Sequence, residues 1–342
     1  MLTAILLSGA LLCGRGGGGG NGGELTTTPP QPAATPTIAA STGNGAQNGA
    51  VIVALASTTA KATIYYTLDG ATPTTSSQPY LAPILVASNL TVNAIAAAPG
   101  GTNSSVATKI FTPAIASGTL VWSDEFSNSI SANAQPNPAT WTYDVGTNCC
   151  GNNELETYCA WASSTGPCNP ASPNAYVGTD GYLHIVAEQP TPGTATYTSA
   201  RLKSQGLFSF QYGRIEAKMM LPESQGMWPA FWLLGDNITV DPWPACGELD
   251  VMEHIDGANP PISGSRPGYD WMQSSIHGTG LNNGHPYNAS GFSAAAWHTY
   301  GMIWTKGQIQ YYVDSPSNVY ETFTPTTQTG TWPFDTGPEF VT

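Results

Sequence analysis

The chain has 342 residues, of which only 9 % are charged, and it contains 38 glycines, 28 prolines and 10 % aromatic residues. Helix-rich proteins depend on Glu, Lys and Arg, whereas glycine, proline and small polar residues favour turns and strands, so the composition predicts an all-β protein. The net charge is -13, and only nine residues are Lys or Arg. Such a chain lacks the basic surface that binds phosphate groups, which excludes nucleic acid as a partner.

The N-terminus has the pattern of an export signal followed by a linker. Residues 1–13 are apolar but too few to span a bilayer, as in the core of a signal peptide, so we expect a secreted, extracellular protein. Cys13 follows small and apolar residues, so a cell-surface lipoprotein acylated at Cys13 is the alternative. Residues 14–35 are rich in Gly, Thr and Pro and are predicted to form an unfolded linker.

Four cysteines share one segment rich in Gly, Asn and Pro, namely Cys149, Cys150, Cys159 and Cys168. Disulfides that staple this loop are the favoured interpretation. A zinc site is the weaker alternative, because two of the cysteines are adjacent and no histidine is nearby. All three pairings stay open, and the one with a vicinal bridge is the least favoured by geometry. Cys246 stands apart and is expected to be a buried small hydrophobic residue.

Residues 36–113 alternate short apolar runs with turn signals, which predicts a small antiparallel β-sandwich. Its segments YYTLDGATPTTSS and TVNAIAAA resemble the immunoglobulin-like module at the C-terminal end of chitobiases and β-hexosaminidases. The resemblance implies an accessory unit. Two roles remain open for it: a spacer, and a sugar-binding module in which Tyr65, Tyr66 and Tyr80 form a platform instead of core.

Residues 119–342 contain apolar, strand-like segments such as LVWSDEF and GQIQYYVD, separated by long loops rich in Gly, Pro and Asn. This pattern predicts a large β-sandwich or jelly roll. Binding residues are expected on its loops, because loops on a rigid sheet framework are where such residues usually lie.

The segment GELDVMEHIDG places Glu248, Asp250 and Glu253 among apolar residues. On a regular strand Glu248 and Asp250 share a face and Glu253 points away, but a one-residue bulge at Val251-Met252 returns Glu253 to that face. The bulged spacing brings the two glutamate carboxyls to roughly 5 Å, the separation found in retaining glycosidases. An acidic surface strand and a calcium-ligand cluster are the competing interpretations.

Three tryptophans flank the acidic strand. Trp228 and Trp232 fall on one face of the preceding strand, and Trp243 lies five residues before Glu248. Sugar rings stack on aromatic faces, so we expect at least one of the three to be a sugar platform, with packing in the core as the alternative for each.

Together with WPAFWLLG, NNELETY, SARLKSQGLFSFQYGRIEAKMMLP and WHTYGMIWTKGQIQYYVD, the acidic segment resembles glycoside hydrolase family sixteen, in its laminarinase-like branch. The resemblance runs from about Leu120 to the end of the chain. It implies a curved β-jelly roll with the acidic strand in a concave cleft. It also implies a retaining endo-β-glucanase that hydrolyses laminarin-like 1,3-β-glucan or mixed-linkage β-glucan.

By that resemblance Glu248 is the nucleophile, Glu253 the general acid and base, and Asp250 an assisting carboxylate that separates their pKa values, with a low pKa for attack and a raised one for proton donation. Substrate-binding roles are implied for Trp228, Trp232, Trp243, His277, Asn153, Glu154 and Arg201. Glu125 stands where many relatives bind a structural calcium, and no cofactor is expected for catalysis.

Three other functions stay open. A neutral galactan hydrolase of the agarase type shares the bulged motif, and a transglycosylase shares the covalent intermediate. A non-catalytic β-glucan-binding protein would use the same fold without hydrolysis. The protein is expected to be a monomer. The resemblance also implies closing strands beyond Thr342, so we expect the chain to be truncated at its C-terminus.

Overall fold

The computed structural model describes residues 30–127, 131–147, 152–194, 196–222, 224–255 and 268–342. These residues form strands and one short 3-10 helix, Asp236–Thr239, so the all-β prediction is confirmed. Within them, no helix is long and apolar enough to cross a bilayer. The predicted signal segment 1–13 with Cys13, most of the linker, Cys149 and Cys150 lie outside the described residues.

The N-terminal module folds as a small two-sheet sandwich, one sheet in the order β1-β2-β5 and the other in the order β4-β3-β6-β7. Its buried aliphatic side chains form a core of their own. Tyr66 is buried in that core, edge-on to Tyr80 with ring centroids 6.3 Å apart, which makes Tyr66 a core residue and not a platform. The strands are β1 Thr37–Ser41, β2 Val51–Ala56, β3 Thr63–Thr67, β4 Gln78–Pro79, β5 Ile84–Val86, β6 Leu90–Ala97 and β7 Ala107–Phe111.

The large domain is a sandwich of two antiparallel sheets, five-stranded in the order β19-β18-β17-β16-β23 and four-stranded in the order β15-β20-β21-β22. Short strands form smaller sheets beside them. The strands are β8 Thr142–Asp144, β9 Gly146–Thr147, β10 Glu156–Tyr158, β11 Ala175–Val177, β12 Leu183–Ile185, β13 Tyr197–Ser199, β14 Arg201–Lys203, β15 Gly213–Met219, β16 Ala230–Gly235, β17 Glu248–Glu253, β18 Met272–Gly278, β19 Leu281–Tyr287, β20 His298–Thr305, β21 Gln308–Val313, β22 Val319–Phe323 and β23 Glu339–Val341.

The core of the large domain lies between its two main sheets. Leu249 and Ile276 of the five-stranded sheet and Met302 and Trp304 of the four-stranded sheet are fully buried in one cluster. Burying such side chains stabilises the fold by about 2 kcal/mol each. Because strand side chains alternate, the residues between these buried positions, Glu248 among them, point to the opposite face of the five-stranded sheet.

The predicted strand in LVWSDEF, residues 120–126, is wrong. Trp122 makes only an isolated bridge with Ala46 of the module, and its Nε1 donates to the carbonyl oxygen of Asn44 at 2.7 Å. The indole stacks on Phe208 at 4.7 Å between ring centroids. The backbone of this segment pairs with module loop residues and joins neither main sheet, while the Trp122 indole packs on the large domain.

Module and large domain are joined by backbone hydrogen bonds. The Leu85 amide donates to the Ser209 carbonyl at 2.9 Å, and the Ser209 amide donates to the Pro83 carbonyl at 3.0 Å. The side chain of Ile52 belongs to the core cluster of the large domain. Paired backbone groups and shared apolar burial hold the two parts together as packed domains.

One disulfide connects Cys159 to Cys168, whose Cα atoms are 5.7 Å apart. This bond excludes both pairings that join these two residues to Cys149 and Cys150, although the sequence favours them over the arrangement with a vicinal bridge. The turns that follow Cys159 bring the two Cα atoms within bonding range, which the order of cysteines along the chain does not reveal. Cys246 is a free, buried thiol as predicted.

Candidate active site

The acidic strand β17 carries a bulge where the sequence predicts one. Phe231 of β16 pairs with Met252 and Trp232 pairs with Asp250, so Val251 is the extra residue. The register with β18 shifts between Asp250 and Glu253 as well. A bulge re-aims the side chains that follow it, and Glu253 accordingly returns to the face that Asp250 occupies.

The contacts of Ser275 show that Asp250 and Glu253 lie on the same face of the sheet. This serine pairs with Asp250 across the strands, and its Oγ donates to Glu253 Oε2 at 3.2 Å. Paired residues of antiparallel strands point to the same side of a sheet. Glu248, two residues before Asp250, lies on that side too.

At the N-terminal end of β17, Glu248 and Asp250 form a compact group with His277 of β18. His277 is the β18 partner of Glu248. Its Nε2 lies 3.0 Å from Asp250 Oδ2 and 4.0 Å from Glu248 Oε1. Among the described residues, these three side chains are the one group of His, Cys, Asp and Glu close enough together to hold a metal ion. The group lies at the predicted catalytic positions.

Burial controls the protonation of this group. It raises the pKa of Asp250 well above its ordinary value, and the nearby Glu253 charge adds to the effect. It also raises the pKa of Glu248, with the Asp250 charge adding to the shift and His277 opposing it. The low pKa expected for the attacking carboxylate is therefore wrong, because desolvation outweighs the favourable charge of His277. The two carboxyls are also hydrogen-bonded to each other, and each holds its proton to a higher pH than an exposed carboxyl does.

Another buried carboxyl, Glu339 of β23, lies within electrostatic range of the group. Burial raises its pKa well above the ordinary value, and the charges of Glu248 and Asp250 raise it further. Sequence reasoning did not single out this residue. No pattern marks it, since it stands alone in the short segment GPEFVT.

At the other end of the strand, Glu253 accepts three hydrogen bonds from uncharged donors. Trp228 Nε1 donates to its Oε1 at 3.1 Å, while Gln273 Nε2 and Ser275 Oγ each donate to Oε2 at 3.2 Å. These donors fix the orientation of the carboxyl without pairing it with a cation. A carboxyl held in this way is suited to exchange a proton with a bound molecule.

Two of the predicted tryptophans expose their rings beside the carboxylates. Trp228 is exposed while its Nε1 binds Glu253, and Trp243 is exposed with its ring 6.4 Å from that of His277. Flat apolar faces beside hydrogen-bonding groups are what a sugar-binding cleft needs. Trp232 is half-buried in β16, so its ring also packs against protein.

Arg201 and Glu154 form a partly buried ion pair at 3.0 Å beside Trp232. The guanidinium carbon of Arg201 lies 4.7 Å from the ring centre of Tyr158 and 5.4 Å from that of Trp232. The structure thus brings Glu154, Arg201 and Trp232 together. Asn153 is exposed, with a left-handed backbone at φ 57°, and it makes no contact within this group.

Sequence reasoning missed Gln273, Ser275 and Tyr158. A signal for the first two exists, because Gln273, Ser275 and His277 alternate along one strand and therefore share a face. Tyr158 belongs to the NNELETY segment that carries part of the family resemblance, two residues after Glu156 in β10.

Glu125 lines a polar cavity of about 270 Å³ together with Gly45, Ser123, Asp124 and Asn137. Asp124 is engaged already, since its Oδ2 accepts from Trp141 Nε1 at 2.8 Å and its Oδ1 accepts from the Phe126 amide at 3.0 Å. The oxygen-rich lining suits the chemistry of calcium. Glu125 has no second free carboxylate beside it in this lining, so the structural calcium stays a prediction.

The fold and site define a jelly-roll β-sandwich with a bulged acidic strand in a cleft. The family model described as Glycosyl hydrolases family 16 matches residues 171–340, and the one described as Chitobiase/beta-hexosaminidase C-terminal domain matches residues 42–108. The beta-glucanase of Rhodothermus marinus is 34 % identical over 229 residues, which are 63 % of this chain and 71 % of that protein. The chain belongs to glycosyl hydrolase family 16.

Solved laminarinase structures share the fold. The laminarinase from Rhodothermus marinus is similar with a TM-score of 0.50 and 34 % identity, over 65 % of this chain and 83 % of that one. The laminarinase catalytic domain from Thermotoga maritima is similar with a TM-score of 0.51 and 28 % identity, over 65 % and 84 % respectively. The resemblance inferred from the sequence motifs is confirmed.

Proposed function

We propose that this protein is an endo-acting β-glucanase that hydrolyses 1,3-linkages in laminarin-like or mixed-linkage β-glucan. The observation that carries the proposal is the bulged strand β17, which presents Glu248, Asp250 and Glu253 on one face beside exposed tryptophans. The laminarinases and the beta-glucanase to which the chain is similar support the substrate class.

The reaction proceeds by double displacement. Glu248 attacks the anomeric carbon and forms a glycosyl-enzyme ester, while the Glu253 carboxylic acid transfers its proton to the departing glycosidic oxygen. Glu253, now a carboxylate, removes a proton from water, whose oxygen attacks the same carbon and releases Glu248. The anomeric configuration is retained, and both glutamates return to their starting protonation states.

Asp250 and His277 prepare Glu248 for attack. Asp250 is hydrogen-bonded to Glu248 and keeps that side chain in place. His277, 3.0 Å from Asp250 Oδ2, orients the Asp250 carboxyl from the neighbouring strand. Both are positioning residues, because they act through Glu248.

The charge of the protein favours a neutral substrate. The net charge is -13, and only six of the nine basic residues belong to residues 119–342. Sulfated galactans would require cations along the cleft, and the partly buried Arg201 is already paired with Glu154. A neutral glucan needs only the ring faces and hydrogen-bonding groups that line the site.

Reducing-sugar release from laminarin, barley mixed-linkage glucan and agarose tests the proposal with the full chain. We expect release from laminarin, its loss in Glu248→Ala, and its retention in Asp314→Asn, which alters an exposed carboxylate outside the cleft. Release from agarose alone would replace the glucanase by a galactanase, and binding of laminarin without release would make the protein a glucan-binding protein.

A further inference from the structure

Two large aromatic side chains meet at the protein surface outside the cleft. Tyr182 is 50 % exposed and Trp297 is 42 % exposed, and their ring centroids lie 5.0 Å apart at an interplanar angle of 34°. Aromatic rings in contact with each other normally bury most of their area. Here both rings present a large part of their surface to solvent.

The pair lies beside the start of β20, a strand of the four-stranded sheet. Trp297 directly precedes His298, the first residue of β20, and Tyr300, Met302 and Trp304 of that strand are buried in the core. Met219 pairs with His298, which places the exposed Met220 next to Trp297. The carboxylates of β17 belong to the five-stranded sheet, on its face away from the core, whereas Trp297 adjoins a strand of the four-stranded sheet.

Hydrogen-bonding groups border the aromatic pair. His184 lies two residues after Tyr182 on the same face of the β11–β12 hairpin, and its Nε2 is 3.0 Å from Asp180 Oδ2, with both side chains partly exposed. The His184 ring stacks on Tyr176 at 4.8 Å and 9°. The surface therefore combines aromatic faces with an exposed carboxylate and imidazole, the groups that contact the C–H faces and hydroxyls of sugars.

The other exposed aromatic residues differ from this pair. Trp228 and Trp243 belong to the cleft, and Tyr197 makes no ring contact within the described residues.

We propose that Tyr182 and Trp297, bordered by Asp180 and His184, form a second binding platform for a neutral β-glucan chain. This inference rests on the proposed function, which supplies the polymer.

The platform would hold polymer without occupying the cleft. Because Trp297 adjoins the four-stranded sheet and the glutamates belong to the five-stranded one, a glucan segment bound at the platform leaves Glu248 and Glu253 accessible to another segment or chain. The platform should therefore strengthen the binding of long or insoluble glucans, whereas a short soluble oligosaccharide needs only the cleft.

Retention on curdlan, an insoluble 1,3-β-glucan, tests the platform. Binding is measured with the full chain in the Glu248→Ala background, so that the polymer is not degraded. We expect the apparent dissociation constant to rise about fivefold in Tyr182→Ala and in Trp297→Ala, and to change little in Trp297→Phe. Tyr197→Ala is the matched control, because it removes an exposed tyrosine outside the pair.

The same substitutions in the active chain must leave the turnover of a short soluble 1,3-β-gluco-oligosaccharide unchanged. Unaltered curdlan retention in both alanine variants would overturn the platform, and Tyr182→Ala alone decides the matter if Trp297→Ala fails to fold. Absent turnover in the parent chain would instead count against the proposed function, so the two failures are distinguishable.

Discussion

The two ends of strand β17 carry the same residue type in different surroundings. Glu248 lies beside a second carboxyl and His277, in a group whose ionisation is governed by burial. Glu253, beyond the bulge, is held by the indole, amide and hydroxyl donors of Trp228, Gln273 and Ser275. We propose that these neighbours assign the two roles: attack by Glu248, which a second carboxyl and a histidine hold in place, and proton exchange at Glu253, which neutral donors orient.

Removing each glutamate gives the largest expected effect and separates the two roles. Glu248→Ala and Glu253→Ala should each lower kcat on laminarin by at least about 10³-fold. Added azide should restore turnover in both variants, but with products of opposite anomeric configuration. In Glu248→Ala azide replaces the missing nucleophile, so the glycosyl azide has the inverted configuration. In Glu253→Ala azide attacks the glycosyl-enzyme in place of water, so the glycosyl azide has the retained configuration. Product configuration by NMR checks this, and the same configuration from both variants would contradict the assignment.

Substituting His277 tests the Glu248 end alone. His277→Gln should lower kcat about tenfold, because Asp250 loses the group that orients it. His277 also opposes the rise in the pKa of Glu248, so its removal should move the acidic limb of the kcat/KM profile to higher pH. His285→Gln, which alters an exposed histidine paired with Glu321, is the control. A reduced kcat with an unshifted pH profile would show that His277 does not act through the Glu248 carboxyl.

A smaller effect is expected at the Glu253 end when its indole donor, Trp228, is substituted. Trp228→Phe keeps an aromatic face but removes the hydrogen bond to Glu253 Oε1, so kcat should fall about fivefold, as expected for the loss of about 1 kcal/mol. KM should change little, since the ring remains. A rise in KM with unchanged kcat would show that Trp228 serves sugar binding alone.

A carboxyl outside the cleft isolates the effect of burial. Burial alone raises the pKa of Asp236 from 3.8 to about 7. Between about pH 4 and pH 7 the folded chain therefore binds more protons at Asp236 than the unfolded chain does, so the free energy of unfolding falls as pH rises, by about 1.4 kcal/mol per pH unit. Below that window both states are protonated.

The expected consequence for Asp236→Asn is a melting temperature that depends less on pH. We expect the fall in melting temperature from pH 5 to pH 7 to be smaller than in the parent chain by about 5 °C, followed by circular dichroism. Asp69→Asn, at an exposed turn of the module, should leave the pH dependence as it is. An identical pH dependence in Asp236→Asn and the parent would show that Asp236 is not buried in solution.

Much of the acidic strand follows from sequence. Its apolar alternation predicts the strand, and the position of Glu253 predicts the bulge, because only a bulge returns that residue to the face of Asp250. These are local relations along one segment. The three donors to Glu253 come from other segments, and their contacts depend on register, so only the alternation of Gln273, Ser275 and His277 hints at them.

The wrong predictions have their origin in long-range contacts. Residues 120–126 look like a strand by composition, but Trp122 bonds to Asn44 of the module, 78 residues earlier. The raised pKa of Glu248 also follows from tertiary burial, as does the raised pKa of Glu339, to which no sequence pattern points.

We propose that the bulge in β17 places two glutamates for a double displacement. Proton NMR during hydrolysis of a soluble 1,3-β-gluco-oligosaccharide by the full chain tests this most directly, because the anomer released first is observed before mutarotation. We predict that the β-anomer appears first and the α-anomer only later. Initial release of the α-anomer would mean a single displacement by water and would contradict the nucleophilic role of Glu248.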